Sequence, residues 1–158
     1  TARELDPGHL DWLRGLPYTH RAGDVAFSHG SPIVPGEFAY VFALEQAREL
    51  VAHQGELAPV TFIGHSHLCK AFALDAAGRV EEVSGPALTL DPARKYIVSV
   101  GSVGQPRDYD NRACFVSYDT EARQVTYHRV PYDVAGAAQR ILDAALAPNF
   151  GKRLFLGV

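Results

Sequence analysis

Val60-Thr61-Phe62-Ile63-Gly64-His65-Ser66-His67 is the stretch of this chain that most constrains its fold. Its first four residues predict a short buried strand, which delivers two histidines to the loop at its end. The arrangement recurs upstream, where the apolar run Val25-Ala26-Phe27 precedes Ser28-His29-Gly30. Imidazole is the commonest side chain for binding transition metals near neutral pH. Two strands that end in histidine therefore predict one metal site, with solvated loop histidines as the alternative.

Helix and strand signals alternate in the first half of the chain. Asp6-Pro7 is typical of a helix N-terminus, and we expect a short helix that ends near Gly15 and places Trp12 in the core. Glycine and proline then mark a loop, and apolar residues recur at helical spacing further on. The remaining elements expected here are a strand, a loop and a helix, over about 24–28, 30–36 and 40–53.

The second half of the chain contains mostly strand signals. We expect two hairpins, one single strand between them and one late helix. Their approximate positions are 72–74 with 80–83, 113–118 with 124–130, 96–100 and 134–146. The whole pattern predicts one domain of the α/β (α+β) class.

Composition excludes several classes of function. Hydrophobic residues make up 47% of the 158 residues and charged residues 21%, as in an ordinary globular chain. A net charge of −3 gives no indication of a nucleic-acid or membrane surface. No signal peptide or bilayer-length apolar run is visible, so we expect a cytoplasmic protein. The chain begins with Thr1 and has no Met, which leads us to expect a fragment or a processed chain.

The two cysteines do not form a metal clip. Cys69 and Cys114 are far apart in sequence, and neither belongs to a Cys-x-x-Cys pair. We expect both to be buried, reduced thiols that are not bonded to each other, because nothing in the composition indicates an oxidising compartment.

Three segments occur in order, each after a predicted strand: Ser28-His29-Gly30, Gly64-His65-Ser66-His67 and Gly101-Ser102-Val103-Gly104-Gln105-Pro106-Arg107-Asp108. Together with Tyr127-His128-Arg129-Val130-Pro131-Tyr132-Asp133 they resemble the calcineurin-like metallophosphoesterase superfamily, in its small bacterial and archaeal phosphodiesterase-like branch. The resemblance covers nearly all of the chain. It implies a sandwich of two mixed β-sheets flanked by helices.

The resemblance also implies a hydrolase with two divalent metal ions, which would be Mn, Zn, Fe or Ni. The histidine that matches His67 binds one ion, and those that match His29 and His65 bind the other. The substrate would be a phosphomonoester or a phosphodiester, whose phosphoryl group the two ions hold. Gly104 and Arg107 are candidate substrate-binding residues.

Each of these two candidates has a simpler structural alternative. The turn over 101–104 either presents backbone amides to phosphate or only lets the strand leave its sheet. Arg107 either binds phosphate or pairs with Asp108 or Asp110, and we expect the ion pair.

The chain departs from the family pattern in what it lacks. The family opens with Asp-x-His, continues with Gly-Asp-x-x-Asp and then has Gly-Asn-His, and none of these motifs is found here. Asp24 does not replace the bridging aspartate, because it begins the strand that His29 ends. We therefore expect the C-terminal portion of a metallophosphoesterase domain, with no catalytic residues beyond metal ligands and a tendency to self-associate. The alternative is a non-catalytic binding or assembly module that keeps a partial metal site.

Overall fold

The computed structural model describes residues 4–158, which form nine strands and four α-helices. The strands are β1 (Thr19–Ala22), β2 (Val25–Ser28), β3 (Val60–Ile63), β4 (Cys69–Leu74), β5 (Val80–Val83), β6 (Ala87–Thr89), β7 (Lys95–Val100), β8 (Ala113–Asp119) and β9 (Gln124–Val130). The helices are α1 (Pro7–Arg14), α2 (Leu44–Glu49), α3 (Val134–Asp143) and α4 (Pro148–Leu156), with 3₁₀ segments at Pro35–Glu37 and Leu50–His53.

The strands form two sheets. The larger sheet has the order β1-β2-β3-β7-β4-β5, and the smaller one has the order β6-β9-β8. In the larger sheet, β2, β3 and β7 are parallel neighbours, while β1, β4 and β5 run antiparallel to their partners. The smaller sheet is antiparallel throughout. The predicted α/β class and the pair of sheets flanked by helices are confirmed, and only the larger sheet is mixed.

Apolar residues cover both faces of the larger sheet. On one face Val60, Phe62 and Val98 pack in a cluster with Leu90 and Val125 from the smaller-sheet side of the molecule. On the other face a second cluster contains Ile63, Phe72 and Ile97 together with Ala47 and Leu50 from the α2 segment. Burial on both faces explains why β3 reads as a continuous apolar run rather than an alternating one.

The structure corrects the prediction for the first helix. Asp6 caps α1 as expected, with its side chain accepting a hydrogen bond from the Gly8 amide. Trp12, however, is 64% exposed, and no residue of α1 is buried. The apolar side of this helix therefore faces solvent in the part of the chain that the structure describes, so the core position predicted for Trp12 is wrong.

Other element boundaries also differ from the prediction. The helix expected over 40–53 begins at Leu44, because the Gln46 side chain accepts a hydrogen bond from the Ala43 amide and caps the helix there. Its last turn is 3₁₀. The late helix ends at Asp143, and α4 follows it. The strands β1 and β6 and the helix α4 are absent from the prediction.

Within residues 4–158, every helix is too short or too polar to span a lipid bilayer.

Candidate metal centre

Three parallel strands carry the candidate site. The carboxyl ends of β2, β3 and β7 meet at one edge of the larger sheet, since the strands are parallel neighbours in register. His29 follows the first strand, and His65 and His67 follow the second. All three histidines line one open cavity of about 830 Å³, as the sequence predicts. Their role as metal ligands stays a prediction.

His29 and His65 are positioned like two ligands of one ion. Their facing nitrogens, Nε2 of His29 and Nδ1 of His65, are 3.0 Å apart and share a hydrogen bond. Two imidazole nitrogens that bind one ion at about 2.1 Å each lie about 3.0–3.4 Å apart, depending on octahedral or tetrahedral geometry. The separation of the two nitrogens therefore matches that of two ligands of one ion, although both rings would have to turn so that their lone pairs point at a common position beside the hydrogen-bond axis.

His67 is oriented by a backbone contact. Its Nδ1 lies 2.7 Å from the carbonyl oxygen of Gln105, and because a carbonyl only accepts, Nδ1 carries the proton. The other ring nitrogen, Nε2, then has its lone pair available. Metal-binding histidines are commonly fixed in this way by a partner behind the ring. The arrangement fits His67 as a ligand that is separate from the His29 and His65 pair.

The loop that carries two of these histidines has an unusual backbone. His65 and His67 both adopt the left-handed region, with φ values of 63° and 61°. Residues other than glycine rarely adopt this conformation, and it persists where surrounding contacts enforce it. With a left-handed residue on each side of Ser66, the loop presents both imidazoles to the same cavity.

A buried pair of serine hydroxyls lies beneath this loop, with Ser66 between the two histidines. Ser99 Oγ donates to the Leu68 carbonyl at 2.7 Å, so the hydrogen bond of 2.9 Å between Ser66 and Ser99 takes its proton from Ser66. Ser66 is 6% exposed and Ser99 is fully buried. Sequence reasoning missed this contact. Its signal is a serine inside the otherwise apolar run Tyr96-Ile97-Val98-Ser99-Val100.

Both histidines of the loop are held in the neutral form. Burial lowers the pKa of His65, and the electrostatic influence of His29, His67 and Arg107 lowers it further. Burial also lowers the pKa of His67, although its bond with the Gln105 carbonyl acts in the opposite direction. Neutral imidazole is the form that binds a metal ion.

Aromatic rings cover the outer side of the site. Tyr40 stacks on His65 with ring centroids 4.0 Å apart, and Phe38 meets His29 edge-on at 5.9 Å. Phe38 adopts a positive φ of 52°, and the Ser31 amide ties its loop by a hydrogen bond of 2.8 Å to the Ala39 carbonyl. These rings restrict the orientation of the two imidazoles. Tyr40 lies where the sequence predicted the start of a helix, and Phe38 lies just before it, where no element was predicted.

Carboxylates do not line this cavity among the residues that the structure describes. Over the same residues, no three His, Cys, Asp or Glu side chains converge on one point. Asp108 and Asp110, the two carboxylates that follow β7 in the chain, are already in ion pairs. Asp108 binds Arg129, and Asp110 binds Arg112 and lies 3.7 Å from Arg129. The described residues therefore fit the histidine ligands of a two-metal site, but they do not include a carboxylate in the cavity that could bridge the two ions.

The two candidate substrate-binding residues stand apart from the cavity lining. Gly104 is exposed, and its amide, like that of Gln105, donates to Ser102 Oγ. Arg107 binds the side-chain oxygen of Gln105 at 2.9 Å, so the predicted ion pair with Asp108 or Asp110 is wrong. The charge of Arg107 nevertheless acts on His65 and His67, which places it close to the site.

The other histidines lie outside the cavity, as the absence of a motif around them indicates. His53 pairs with Glu56, His128 stacks on Phe115, His20 stacks on Phe27, and His9 is exposed. Both cysteines are free thiols.

Comparison with known proteins gives several likenesses, three of which are described below, while no family model matches the chain. An uncharacterized protein of Methanocaldococcus jannaschii is 35% identical over 161 residues, which cover 99% of this chain and 63% of that protein. A crystal structure of a metallophosphoesterase from Sphaerobacter thermophilus superimposes with a TM-score of 0.83 at 30% identity, over 100% of this chain and 64% of that one.

The third likeness is to the fold alone. A hypothetical protein from Pyrococcus horikoshii has a TM-score of 0.65 at 21% identity, over 94% of this chain and 54% of that one. The chain thus spans less than two thirds of the length of each of these three proteins.

Proposed function

We propose that this chain, which belongs to the calcineurin-like metallophosphoesterase superfamily, supplies the histidine ligands of a dinuclear centre that hydrolyses phosphate esters. The observation that carries the proposal is the convergence of three strand-end histidines on one cavity, two of them with nitrogens 3.0 Å apart. Two divalent ions at such a centre neutralise the charge of a phosphoryl group and activate a water molecule for in-line attack.

The residues of this chain bind and orient. His29 and His65 would hold one ion, and His67, whose ring the Gln105 carbonyl fixes, would hold the second. Imidazole ligands suit Mn, Zn, Fe and Ni. Arg107 contributes positive charge beside the site and binds substrate phosphate once Gln105 releases it. Gly104 sits at the turn that follows the third parallel strand.

The remaining ligands come from residues outside these 158. Two dications held only by neutral imidazoles repel each other, and no carboxylate of residues 4–158 lines the cavity to bridge them. The metallophosphoesterase of Sphaerobacter thermophilus has about a third of its length beyond the matched part, since the match covers 64% of it. We propose that a corresponding segment of the parent protein carries the bridging carboxylate.

Metal binding by the chain itself tests this proposal. Titration with Mn²⁺ or Zn²⁺ in a calorimeter should show weak binding, which His65→Ala and His67→Ala each reduce at least tenfold, about 1.4 kcal/mol. His9→Ala, on the exposed face of α1, is the matched control and should bind like the unchanged chain. Equal affinity in all four proteins would contradict the assignment of ligands.

A second function has one observation in its favour, namely the cavity without carboxylates. The chain would then be a non-catalytic binding or assembly module that keeps a partial metal site and pairs through an exposed sheet edge. If the parent protein binds metal and a protein partner but hydrolyses no phosphate ester, this reading replaces the first.

A further inference from the structure

The two cysteines, separated by 45 positions in sequence, meet in the folded chain. Cys69 begins β4 in the larger sheet, and Cys114 lies in β8 of the smaller sheet. Their Sγ atoms are 3.1 Å apart, and both thiols are free. A disulfide has an S–S distance of about 2.05 Å, so the two sulfurs have to approach by about 1 Å to form one.

We propose that Cys69 and Cys114 are a site of reversible oxidation whose disulfide joins the two sheets beside the histidine cavity. The oxidant is a peroxide. The Cys69 sulfur attacks one peroxide oxygen, the O–O bond breaks, and a sulfenic acid and one water form. The Cys114 sulfur then displaces the sulfenic oxygen as a second water, with both thiol protons transferred. In sum, two thiols are oxidised and one hydrogen peroxide is reduced to two waters.

The local backbone is built around this pair. Cys69 is opposite Val100 in the ladder of β4 and β7, and the Cys114 amide donates to the Ser102 carbonyl at 2.8 Å. Gly101, between these two contacts, has a φ of +76°, and a Cβ there would lie 2.8 Å from each sulfur. Glycine at this position is what leaves space for two sulfurs in contact.

Access favours an intramolecular product. Cys114 is only 2% exposed, so a thiol of another molecule cannot reach it without unfolding. Cys69 is partly exposed and lines a separate cavity of about 240 Å³ with Arg129, which is large enough to admit a small oxidant such as hydrogen peroxide. The guanidinium of Arg129 donates to the Cys69 sulfur at 2.9 Å, although burial raises the pKa of this thiol.

The cross-link would join two walls of the candidate site. Cys114 itself lines the cavity of the three histidines, and so do Gly101 and Ser102. Cys69 stands two residues after His67. A bond between the cysteines would tie the smaller sheet to the loops that carry the site. It would also close a large loop in the unfolded chain and so lower the conformational entropy of that state.

The test is oxidation of the purified protein with a modest excess of hydrogen peroxide. We expect loss of both titratable thiols, a 69–114 link in the non-reduced peptide map, and recovery of both thiols with dithiothreitol. The melting temperature should rise by roughly 5–15 °C on oxidation. Cys69→Ala and Cys114→Ala are matched controls that retain one thiol each and should show no such rise.

Other products would overturn the proposal. These are two unreacted thiols, sulfinic acid at Cys69 with Cys114 unchanged, or disulfide-linked dimers. Because the peptide map is made on the unchanged protein, it decides the matter even if the Cys114→Ala protein does not fold. Metal binding plays no part in this test, so its outcome is separate from that of the proposed phosphoesterase function.

Discussion

Replacing Ser99 by alanine tests whether the buried hydroxyl pair holds the histidine loop in shape. Ser99 is fully buried, and its Oγ takes part in two hydrogen bonds, with Ser66 and with the Leu68 carbonyl. Each such bond contributes about 0.5–1.5 kcal/mol, and groups left buried without a partner add to the loss. We therefore expect the free energy of unfolding to fall by about 1–3 kcal/mol in Ser99→Ala.

The same substitution should weaken metal binding. On this reasoning the two hydrogen bonds hold His65 and His67 in their left-handed conformations before an ion binds. A loop without them becomes ordered only on binding, and the free energy of that ordering lowers the metal affinity. If half of the loss, about 0.5–1.5 kcal/mol, falls on that step, metal affinity drops about twofold to thirteenfold.

Urea unfolding and calorimetric titration with Zn²⁺ measure the two effects of Ser99→Ala. Ser117→Ala is the control, because Ser117 lies in the smaller sheet and its Oγ makes one exposed hydrogen bond, to His128. That variant should change stability by less than about 0.5 kcal/mol. A Ser99→Ala protein that matches the control in both stability and affinity would refute the reasoning.

Three further predictions concern pH, association and activity. The pKa values of His65 and His67 are lowered in the folded chain, so they contribute stability above about pH 6.5 that is lost as pH falls through their folded values. Urea unfolding at pH 7.5 and pH 5 should show this loss, and it should shrink in His67→Gln; an equal loss in both proteins would argue against it. The chain should also self-associate, because α1 exposes Trp12 and Leu13 and β1 is an exposed edge. A monodisperse monomer in light scattering at high concentration would contradict that expectation. Finally, the chain alone with Mn²⁺ should hydrolyse bis-p-nitrophenyl phosphate barely above background, since the anionic bridge is missing. Full activity would mean that Asp108 or Asp110 leaves its arginine and serves as a ligand.

Sequence reasoning located the parts of this fold that are fixed by local pattern. The strands β2 and β3 are short apolar runs in the parallel part of the larger sheet. A histidine just after each strand therefore lies at the same end of the sheet, where the strands have their carboxyl ends. That geometry follows from strand direction alone, which is why His29, His65 and His67 were found together. The hairpins were found for a similar reason, since their turns and alternation are local.

The features that were missed depend on neighbours far away in the chain. An apolar face on α1 shows that something can cover Trp12, but not whether a covering element exists within the chain. The partner of Asp108 is Arg129, 21 residues away, rather than the nearby Arg107. The contact between Cys69 and Cys114 links two different sheets. Each of these depends on how the sheets stack, which periodicity does not encode.

The central claim is that this chain supplies histidine ligands to both ions of a phosphoesterase centre. Its most direct test is Mn²⁺-dependent hydrolysis of bis-p-nitrophenyl phosphate after the proposed carboxylate-bearing segment is supplied, in cis or as a separate chain. We predict that activity appears, that His65→Ala and His67→Ala each lower kcat by at least a hundredfold, and that His9→Ala leaves it unchanged. A restored protein that binds Mn²⁺ but hydrolyses no phosphate ester, or one whose activity survives both histidine substitutions, would contradict the account.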